Sequence, residues 1–556
     1  MSVSQIILVA LVSGVSAEIS QQSNHESPKN NVTNESKLGF LGIGARFVIR
    51  YIKSSYRDDP FRTFLELLLI LFIAWYISRN KYKMNQTDIK LSEKVSQQML
   101  LTLFKNSLYY PFNHFFSRFL KEIDDLISEW KPEPLSIALT KHEQEVLDNT
   151  PVIDGPNGTI VTLIDGSSAV NFSCFDFLGF LSNPSVKEKA IDILRNYGVG
   201  ACGPTGFYGT LDIHMELENS ITSFMKADSS ILYSQGMATI ISIIPCFSKR
   251  DDIIIADEKN NFMIQQGIKL SRSKVFWYKH NDMQDLERVL IKTNEIVSKV
   301  KGPLPRKFII TEGLFSNTGN IVPLDVVMKL KNKYKYRLIL DDSLAIGTLG
   351  SRGAGTTDMF GISPKDIDLL LGSLWQVFGA AGGFCCASKE LIGHQRLSGA
   401  GYVFSASMPA ILTVTANDNI RRLQSDYPLL LPKLRENISI FRNAISKIDS
   451  IIVEGNDLSP VVHIHLSTPT IKSCLKKSKG YEVASFTNNE ENHLLVQIAS
   501  HMRNHGILVS QAVYDDDQEH TVNKPSLKVL VSVSHTQNDL QMFADLLNQA
   551  IRMLSN

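Results

Sequence analysis

Continuous apolar runs are the feature that most constrains how this chain can fold. Five of them lie between residues 229 and 373, in the segments SSILYS, DDIIIAD, KFIITEG, YRLILDD and IDLLLGS, and helical segments separate them. A strand with one face in water alternates apolar and polar residues, whereas these runs are continuous, as expected of strands covered on both faces. Strands that alternate with helices over such a length predict an α/β domain with a mainly parallel sheet.

The pattern changes after FSASMPAILTV, which begins at residue 404. A long helical region follows, and then three further strand-like segments, VVHIHL, HGILVSQAV and SLKVLVSV. We therefore predict a large domain over residues 131–420 and a smaller C-terminal α+β domain over residues 421–556.

Composition narrows the class of function. The chain has 556 residues, a formal net charge of +1 and 44% hydrophobic residues, which allows two or more domains around a large core. A net charge so close to zero argues against a nucleic-acid surface. The six cysteines show no C-x-x-C pair and no zinc-like spacing, so no metal site is predicted. Scattered cysteines suit a reducing compartment, which puts the main domain in the cytosol.

Residues 1–60 form an N-terminal segment that we expect to be lumenal. Its first residues resemble the apolar part of a signal peptide, with a small-residue site near Ala17, but they lack a positive leading region. The sequons at Asn31 and Asn34 would be used only if this segment is lumenal. With the opposite orientation, the cysteine-bearing domain would lie in an oxidising compartment.

A transmembrane helix is predicted over residues 61–80 from the run FLELLLILFIAWYIS. The run approaches the roughly 20 residues that a bilayer needs, and Trp75 and Tyr76 stand where an aromatic belt would lie. A buried core helix is the alternative, but basic residues flank the run on both sides. Residues 81–130 are predicted to be a linker, in which the apolar stretch 99–120 is either an interfacial amphipathic segment or an insertion without function.

Four motifs that occur in a fixed order carry a family resemblance. They are YGVGACGPTGFYGTLDIHMELE from residue 197, ITEGLFSNTGNIVPL from 310, LILDDSLAIGTLG from 338 and GSLWQVFGAAGGF from 372. Together they resemble the α-oxoamine synthase group of fold-type-I pyridoxal-phosphate (PLP) enzymes, over roughly residues 130–550. The resemblance implies the fold-type-I architecture and the condensation of an amino acid with an acyl-CoA.

The resemblance also assigns roles to single positions, several of which are substituted here. Asp341 matches the acid that keeps the pyridine nitrogen of PLP protonated. The lysine that binds PLP, in a G-T-L-S-K-A-F-G run, corresponds to Gln376, whose carboxamide nitrogen is not nucleophilic. The ring-stacking histidine corresponds to Asn261, the histidine on the ring oxygen to Leu344, and the carboxylate-binding arginine to Lys528. These losses imply that the chain cannot hold PLP covalently at its own site.

In this group each subunit of a dimer contributes residues to the active site of the other. The segment FSASMP, residues 404–409, matches a loop that reaches the partner's cofactor phosphate, with Ser405 and Ser407 as donors. The alternative is that these serines only cap the helix that begins near Pro409. The other residues assigned to the interface and the partner's site are Cys202, Phe207, Tyr208 and Tyr402.

The loop YGVGACGPTGFYGT contains five glycines, which is typical of a backbone that approaches another group closely. Its Cys202 is either a catalytic thiol, with the nearby His214 as its base, or a small packed residue near the interface. We adopt the second interpretation.

One N-terminal span and a missing lysine imply, within this group, a heterodimer whose second subunit carries the lysine and binds PLP. The resemblance implies a complex in the endoplasmic reticulum membrane with its catalytic fold facing the cytosol. It also implies a small activating subunit, Orm-type regulators and membrane lipids as further partners. Two other functions stay open: a regulatory or scaffold pseudoenzyme, and an acyltransferase that uses PLP without a lysine.

Overall fold

The computed structural model describes residues 123–555 apart from 137, 182 and 482, together with residues 57, 61, 68 and 69. The chain divides into two compact units, Met1–Ile137 and Ala138–Asn556. Most of the first unit lies outside the described residues, including the stretch 99–120, the predicted lumenal segment apart from residue 57, and the predicted span apart from residues 61, 68 and 69. Within the described part, no helix is both long enough and apolar enough to cross a bilayer.

The second unit contains three sheets. Its strands are β1 (Ile153–Asp154), β2 (Ile160–Leu163), β3 (Ser168–Asn171), β4 (Ser229–Tyr233), β5 (Ile253–Asp257), β6 (Lys274–Tyr278), β7 (Lys307–Glu312), β8 (Arg337–Asp341), β9 (Leu369–Ser373), β10 (Gly383–Ala387), β11 (Ile451–Glu454), β12 (Val461–Leu466), β13 (Ile507–Leu508), β14 (Ser510–Gln511) and β15 (Leu527–Leu530).

Helices cover the sheets and connect their strands. They are α1 (Lys141–Asp148), α2 (Pro184–Tyr197), α3 (Asp212–Met225), α4 (Gly236–Phe247), α5 (Phe262–Ser271), α6 (Met283–Ser298), α7 (Leu324–Tyr334), α8 (Thr356–Met359), α9 (Lys389–Ser398), α10 (Ala400–Val403), α11 (Ala410–Ile445), α12 (Thr468–Lys479), α13 (Asn488–Asn504) and α14 (Gln537–Ser555).

The central sheet has the order β4-β10-β9-β8-β7-β5-β6. Each of the five predicted apolar runs forms one of its strands, and β5 to β9 pair in parallel, as predicted. Every residue of β5 and β9 is buried, because helices lie on both faces. Alternate strand residues enter two separate cores: Ile253 and Ile255 of β5 face one core and Ile254 faces the other.

The C-terminal strands depart from the prediction in one place. VVHIHL and SLKVLVSV contain the strands β12 and β15, as predicted, and these two strands pair antiparallel in one sheet. HGILVSQAV contains two short strands instead of one, because β13 pairs with β3 in a second small sheet while β14 pairs with β15. Helix α11, with 36 residues, runs through residue 420, and the division at that residue remains a prediction.

Candidate functional site

The carboxyl ends of β7, β8 and β9 meet at one edge of the central sheet. Glu312 ends β7 and pairs in register with Asp341, which ends β8 and pairs in turn with Leu371 of β9. Parallel α/β sheets bind ligands at this edge. A cavity of about 30 Å³, here called the strand-end cavity, lies there. Its walls include all four positions that the resemblance assigned to one cofactor site: Asp341, Asn261, Leu344 and Gln376.

Gln376 lies in the turn that follows β9 and is 7% exposed. Its Oε1 atom is buried without a hydrogen-bond partner, an arrangement that costs about 1–3 kcal/mol for a neutral polar group. No lysine stands among the described residues that line the cavity. The nearest lysine in sequence, Lys389, begins α9 and is exposed, as predicted. The cavity therefore offers no primary amine for an imine.

Asn261 has a structural role in place of ring stacking. It is the N-cap of α5, and its Oδ1 accepts a hydrogen bond from the Ile264 N–H at 3.1 Å. Its Nδ2 donates to Oδ2 of Asp341 at 3.4 Å. Asparagine is among the best N-cap residues, so that both ends of this amide are used within the chain.

Asp341 is buried and bound to neutral donors. Its Oδ1 accepts from the Ser343 N–H at 3.1 Å and from the Ser343 hydroxyl at 2.5 Å. Burial raises the pKa of Asp341. Leu344, which is 3% exposed, packs in the hydrophobic core beside it and offers no polar atom to the cavity.

Two further buried acids lie near Asp341, and the sequence interpretation missed both. Burial, together with the neighbouring Asp341, raises the pKa of Glu312 to about 8. Burial also raises the pKa of Asp342 to about 7, against the effect of its hydrogen bonds from Thr356 at 2.6 and 2.8 Å. The available signal was that acidic residues follow the apolar runs FIIT and LIL directly.

Lys528 reaches the cavity wall through one hydroxyl. Its Nζ donates to Oγ of Ser316 at 2.7 Å, and the backbone N–H of Ser316 donates to Glu312 at 3.0 Å. The same Nζ lies 5.4 Å from the ring centroid of Phe175. Burial lowers the pKa of Lys528 to about 8, while the nearby Glu312 acts in the opposite direction.

The loop 404–409 lies against the glycine-rich loop of the same chain. The Ser407 N–H donates to the Gly203 carbonyl at 3.0 Å, and Pro204 forms an antiparallel bridge with Ala406. The two motifs that sequence alone treated separately therefore form one surface.

Ser405 and Ser407 do not cap the helix that follows them. Helix α11 begins at Ala410 with Pro409 as its N-cap and without a capping side chain, so the capping alternative is wrong. The hydroxyl of Ser405 lies 2.9 Å from that of Ser234, and the hydroxyl of Ser407 is buried without a partner. Their contribution to a partner's site remains a prediction.

His214 is committed to the backbone and cannot activate a thiol. Its Nδ1 accepts from the Leu211 N–H at 2.9 Å, and its Nε2 donates to the Met408 carbonyl at 2.7 Å. The interpretation of Cys202 as a thiol with His214 as its base is therefore wrong. Cys202 is also not packed within its own chain, because it is exposed and has a φ of 50°. Its packing against a partner remains a prediction.

Three exposed aromatic residues lie on this surface and are called the aromatic patch: Phe207 (66% exposed), Tyr208 (102%) and Phe404 (86%). Segment 205–209 contacts α10, which precedes Phe404 directly. Tyr402 does not belong to the patch, since it is buried and its hydroxyl accepts from Arg396 at 2.8 Å. Its assignment to the partner's site also remains a prediction.

The strand-end cavity does not fit PLP. Pockets for small molecules and cofactors usually enclose about 300–1,000 Å³, and this cavity encloses about 30 Å³. Of the groups that the chemistry requires, the acid Asp341 is present, but the amine and the stacking ring are replaced by Gln376 and Asn261. The cavity therefore keeps the acid of a cofactor site but lacks the space, the amine and the stacking ring that PLP requires.

Comparisons with known proteins relate the chain to enzymes of the PLP-dependent fold. Residues 169–547 match the family of class I and II aminotransferases. The chain is 36% identical to serine palmitoyltransferase 1 of Dictyostelium discoideum, over 87% of this chain and 93% of that protein. It is 33% identical to serine palmitoyltransferase 1 of Saccharomyces cerevisiae, over 91% of this chain and 92% of that protein.

A solved structure of SPT with a PLP internal aldimine has a similar fold, with a TM-score of 0.62 at 20% identity, over 78% of this chain and 98% of that one. This similarity confirms the predicted fold-type-I architecture of the second unit.

Proposed function

The chain belongs to the family of serine palmitoyltransferase 1 and long chain base biosynthesis protein 1, and we propose that it is a non-catalytic subunit that supports serine palmitoyltransferase activity. That enzyme condenses L-serine with palmitoyl-CoA to 3-ketosphinganine and releases CO2 and CoA, in the first step of sphingolipid biosynthesis. The catalytic partner is the second long-chain-base subunit, which carries the lysine and binds PLP covalently.

The observation that carries the proposal is the state of Gln376. An amide with a buried, unpartnered oxygen stands at the position of the essential amine, in a cavity too small for the cofactor. An enzyme that used this site would need an amine there, because only a nucleophilic nitrogen can join the aldehyde of PLP.

The surface formed by the loop 404–409 and the glycine-rich loop supports a role toward a partner. Its hydroxyls on Ser405 and Ser407 can donate to phosphate oxygens, and its aromatic patch exposes residues of the kind enriched at protein interfaces. We propose that this surface completes the partner's PLP site from the outside, with Cys202 and Tyr402 close to the contact.

The proposed complex lies in the endoplasmic reticulum membrane with its catalytic fold facing the cytosol. A lipid-like product and soluble substrates meet at such a surface, and the apolar run at residues 64–78 provides the proposed anchor. Membrane lipids, a small activating subunit and Orm-type regulators complete the proposed set of partners.

Spectroscopy tests the proposal. The full chain is purified alone and in complex with the lysine-bearing subunit, and the visible absorbance of lysine-bound PLP is recorded for each. We expect absorbance and activity from the complex only. Absorbance from the isolated chain would favour the lysine-independent acyltransferase and contradict the proposal.

A paired variant separates an active-site role from a scaffold role. Ser405→Ala with Ser407→Ala is compared with Ser425→Ala, an exposed serine of α11. For the paired variant, we expect about a tenfold rise in the PLP concentration that half-saturates the complex. This rise corresponds to the loss of one charge-assisted contact of about 1.4 kcal/mol. Ser425→Ala should leave this concentration unchanged. An unchanged PLP affinity in an intact complex would favour the scaffold function.

A further inference from the structure

Trp375 lies against the first residue of helix α4, beside the strand-end cavity. A Cβ atom built on Gly236 would lie 2.4 Å from both Cδ1 and Nε1 of the indole, so the indole rests directly on the glycine backbone. Both Gly236 and Trp375 line the cavity. In the sequence Trp375 occupies the serine position of the G-T-L-S-K-A-F-G run, one residue before Gln376.

The helix end that Trp375 covers has the properties of a phosphate site. Helix α4 has 12 residues, and its N-cap, Gln235, makes no side-chain capping bond. The free N–H groups and the positive pole of such a helix end favour a bound phosphate. Asp341 lines the same cavity. The cavity thus contains a helix end of the kind that binds phosphate and an acid of the kind that faces a pyridine nitrogen, and the indole lies against the first residue of that helix.

One aromatic ring packs against the indole, and a cation lies over that ring. The rings of Trp375 and Phe175 meet edge to face, with centroids 5.6 Å apart and an interplanar angle of 77°. The Lys528 ammonium lies over the same Phe175 ring. Edge-to-face pairs and cations over ring faces are both attractive, so Phe175 favours this position of the indole, although Trp375 remains 39% exposed.

We propose that Trp375 closes this chain's cofactor site and thereby restricts PLP to the partner subunit. The loss of the lysine removes the covalent bond, whereas the indole removes the space for the phosphate, and these are two separate barriers. Trp375 is therefore a specificity-determining residue toward the cofactor. This inference rests on the proposed function, because the variants are compared with a wild-type complex in which only the partner binds PLP.

The test restores the amine with and without the indole, in the full heterodimer. The variants are Gln376→Lys, Trp375→Ser with Gln376→Lys, and Trp375→Phe with Gln376→Lys as the matched control that keeps a ring on Gly236. Each complex is saturated with PLP and reduced with borohydride. The introduced amine condenses with the aldehyde carbon and releases one water, and hydride then reduces the resulting C=N bond. Bound PLP per complex and the labelled peptide are measured by absorbance and mass spectrometry.

We expect Trp375→Ser with Gln376→Lys to raise the PLP bound per complex about two-fold, with the new label on the peptide that contains position 376. The other two variants should keep the wild-type amount. The inference would be overturned if Gln376→Lys alone bound a second PLP. It would also be overturned if an intact complex with Trp375→Ser and Gln376→Lys bound no second PLP. Trp375→Thr replaces the serine change if that complex does not assemble. Wild-type complex that lacks label on the partner would instead contradict the proposed function.

Discussion

At the scale of single residues, the strand-end cavity is lined by the acids Glu312 and Asp341, and a third acid, Asp342, follows Asp341 directly. Glu312, Asp341 and Asp342 are all buried, and burial raises the pKa of each. Their donors are backbone N–H groups, hydroxyls and the Asn261 amide, and Lys528 reaches Glu312 only through Ser316. Burial therefore favours the neutral form of each of the three carboxyl groups.

Glu312→Gln should weaken the pH dependence of stability. The pKa of Glu312 is about 8 in the folded chain and about 4.3 when unfolded, so the folded state holds a proton that the unfolded state releases. The contribution of this proton to the free energy of unfolding is complete below the pKa of the unfolded state. It is lost as the pH rises toward 8, by up to about 1.4 kcal/mol per pH unit. The wild-type thermal midpoint should thus fall more steeply between pH 5 and pH 8 than that of the variant.

Glu295→Gln is the control for this experiment, because Glu295 is exposed. It should follow the wild-type curve. Parallel curves for Glu312→Gln and the wild type would show that Glu312 is ionised in the folded chain.

The residues of the cavity show what a sequence can and cannot predict. Asp341, Asn261, Leu344 and Gln376 were assigned to one site by matching motifs, and the fold brings them to one cavity. Trp375 was missed, because its contact is with Gly236, a residue far away in sequence whose lack of a side chain admits the indole. The available signal was the tryptophan itself, at a position where the family run has a serine, but the sequence does not show which residue it contacts.

At the scale of elements, one histidine ties helix α3 to the loop 404–409. The Leu211 N–H and the Met408 carbonyl are bound by the two nitrogens of the buried His214 ring. This ring fixes the backbone just after Ser407 relative to the glycine-rich loop. The position of the proposed donors therefore depends on a residue that is buried within its own chain.

His214→Ala should destabilise the loop without unfolding the chain. Each of the two backbone groups loses its partner in a buried place, which costs about 1–3 kcal/mol. We expect a lower thermal midpoint and weaker retention of PLP by the complex. His394→Ala is the matched control, since His394 also contacts a backbone carbonyl, that of Cys246 at 3.3 Å, but on another helix. Equal losses of PLP in both variants would contradict the role of the loop.

The elements that were predicted correctly are those whose pattern is local. Continuous apolar runs identified β4, β5, β7, β8 and β9, because a strand between two helical layers needs apolar residues on both faces. Strand β10, with the sequence GFCCA, was missed because it follows a glycine-rich turn, and its antiparallel pairing with β4 and β9 is a long-range feature. The separation of β13 from β14 likewise depends on which sheet each of them meets.

At the scale of the whole molecule, the aromatic patch is exposed to solvent, whereas the strand-end cavity is lined mainly by buried residues. The aromatic patch presents large apolar side chains to solvent beside a loop in which the buried hydroxyl of Ser407 has no hydrogen-bond partner. Exposed aromatic groups beside an ordered backbone are typical of a surface that another protein covers. The glycine-rich loop supports the patch, with Tyr208 held at a φ of 62°, a conformation that is uncommon for a residue with a side chain.

Phe207→Ser with Phe404→Ser should weaken the proposed heterodimer and leave the fold of the chain unchanged. Both rings are exposed in the chain, so their loss removes little internal packing, whereas truncation of central aromatic residues in an interface commonly costs at least about 2 kcal/mol. The dissociation constant of the complex should rise by more than about tenfold. Leu304→Ser is the control, because Leu304 is 75% exposed in the loop between α6 and β7. If the patch variant bound the partner as tightly as this control, the partner would have to cover another face, and Ser405 and Ser407 could no longer reach its cofactor.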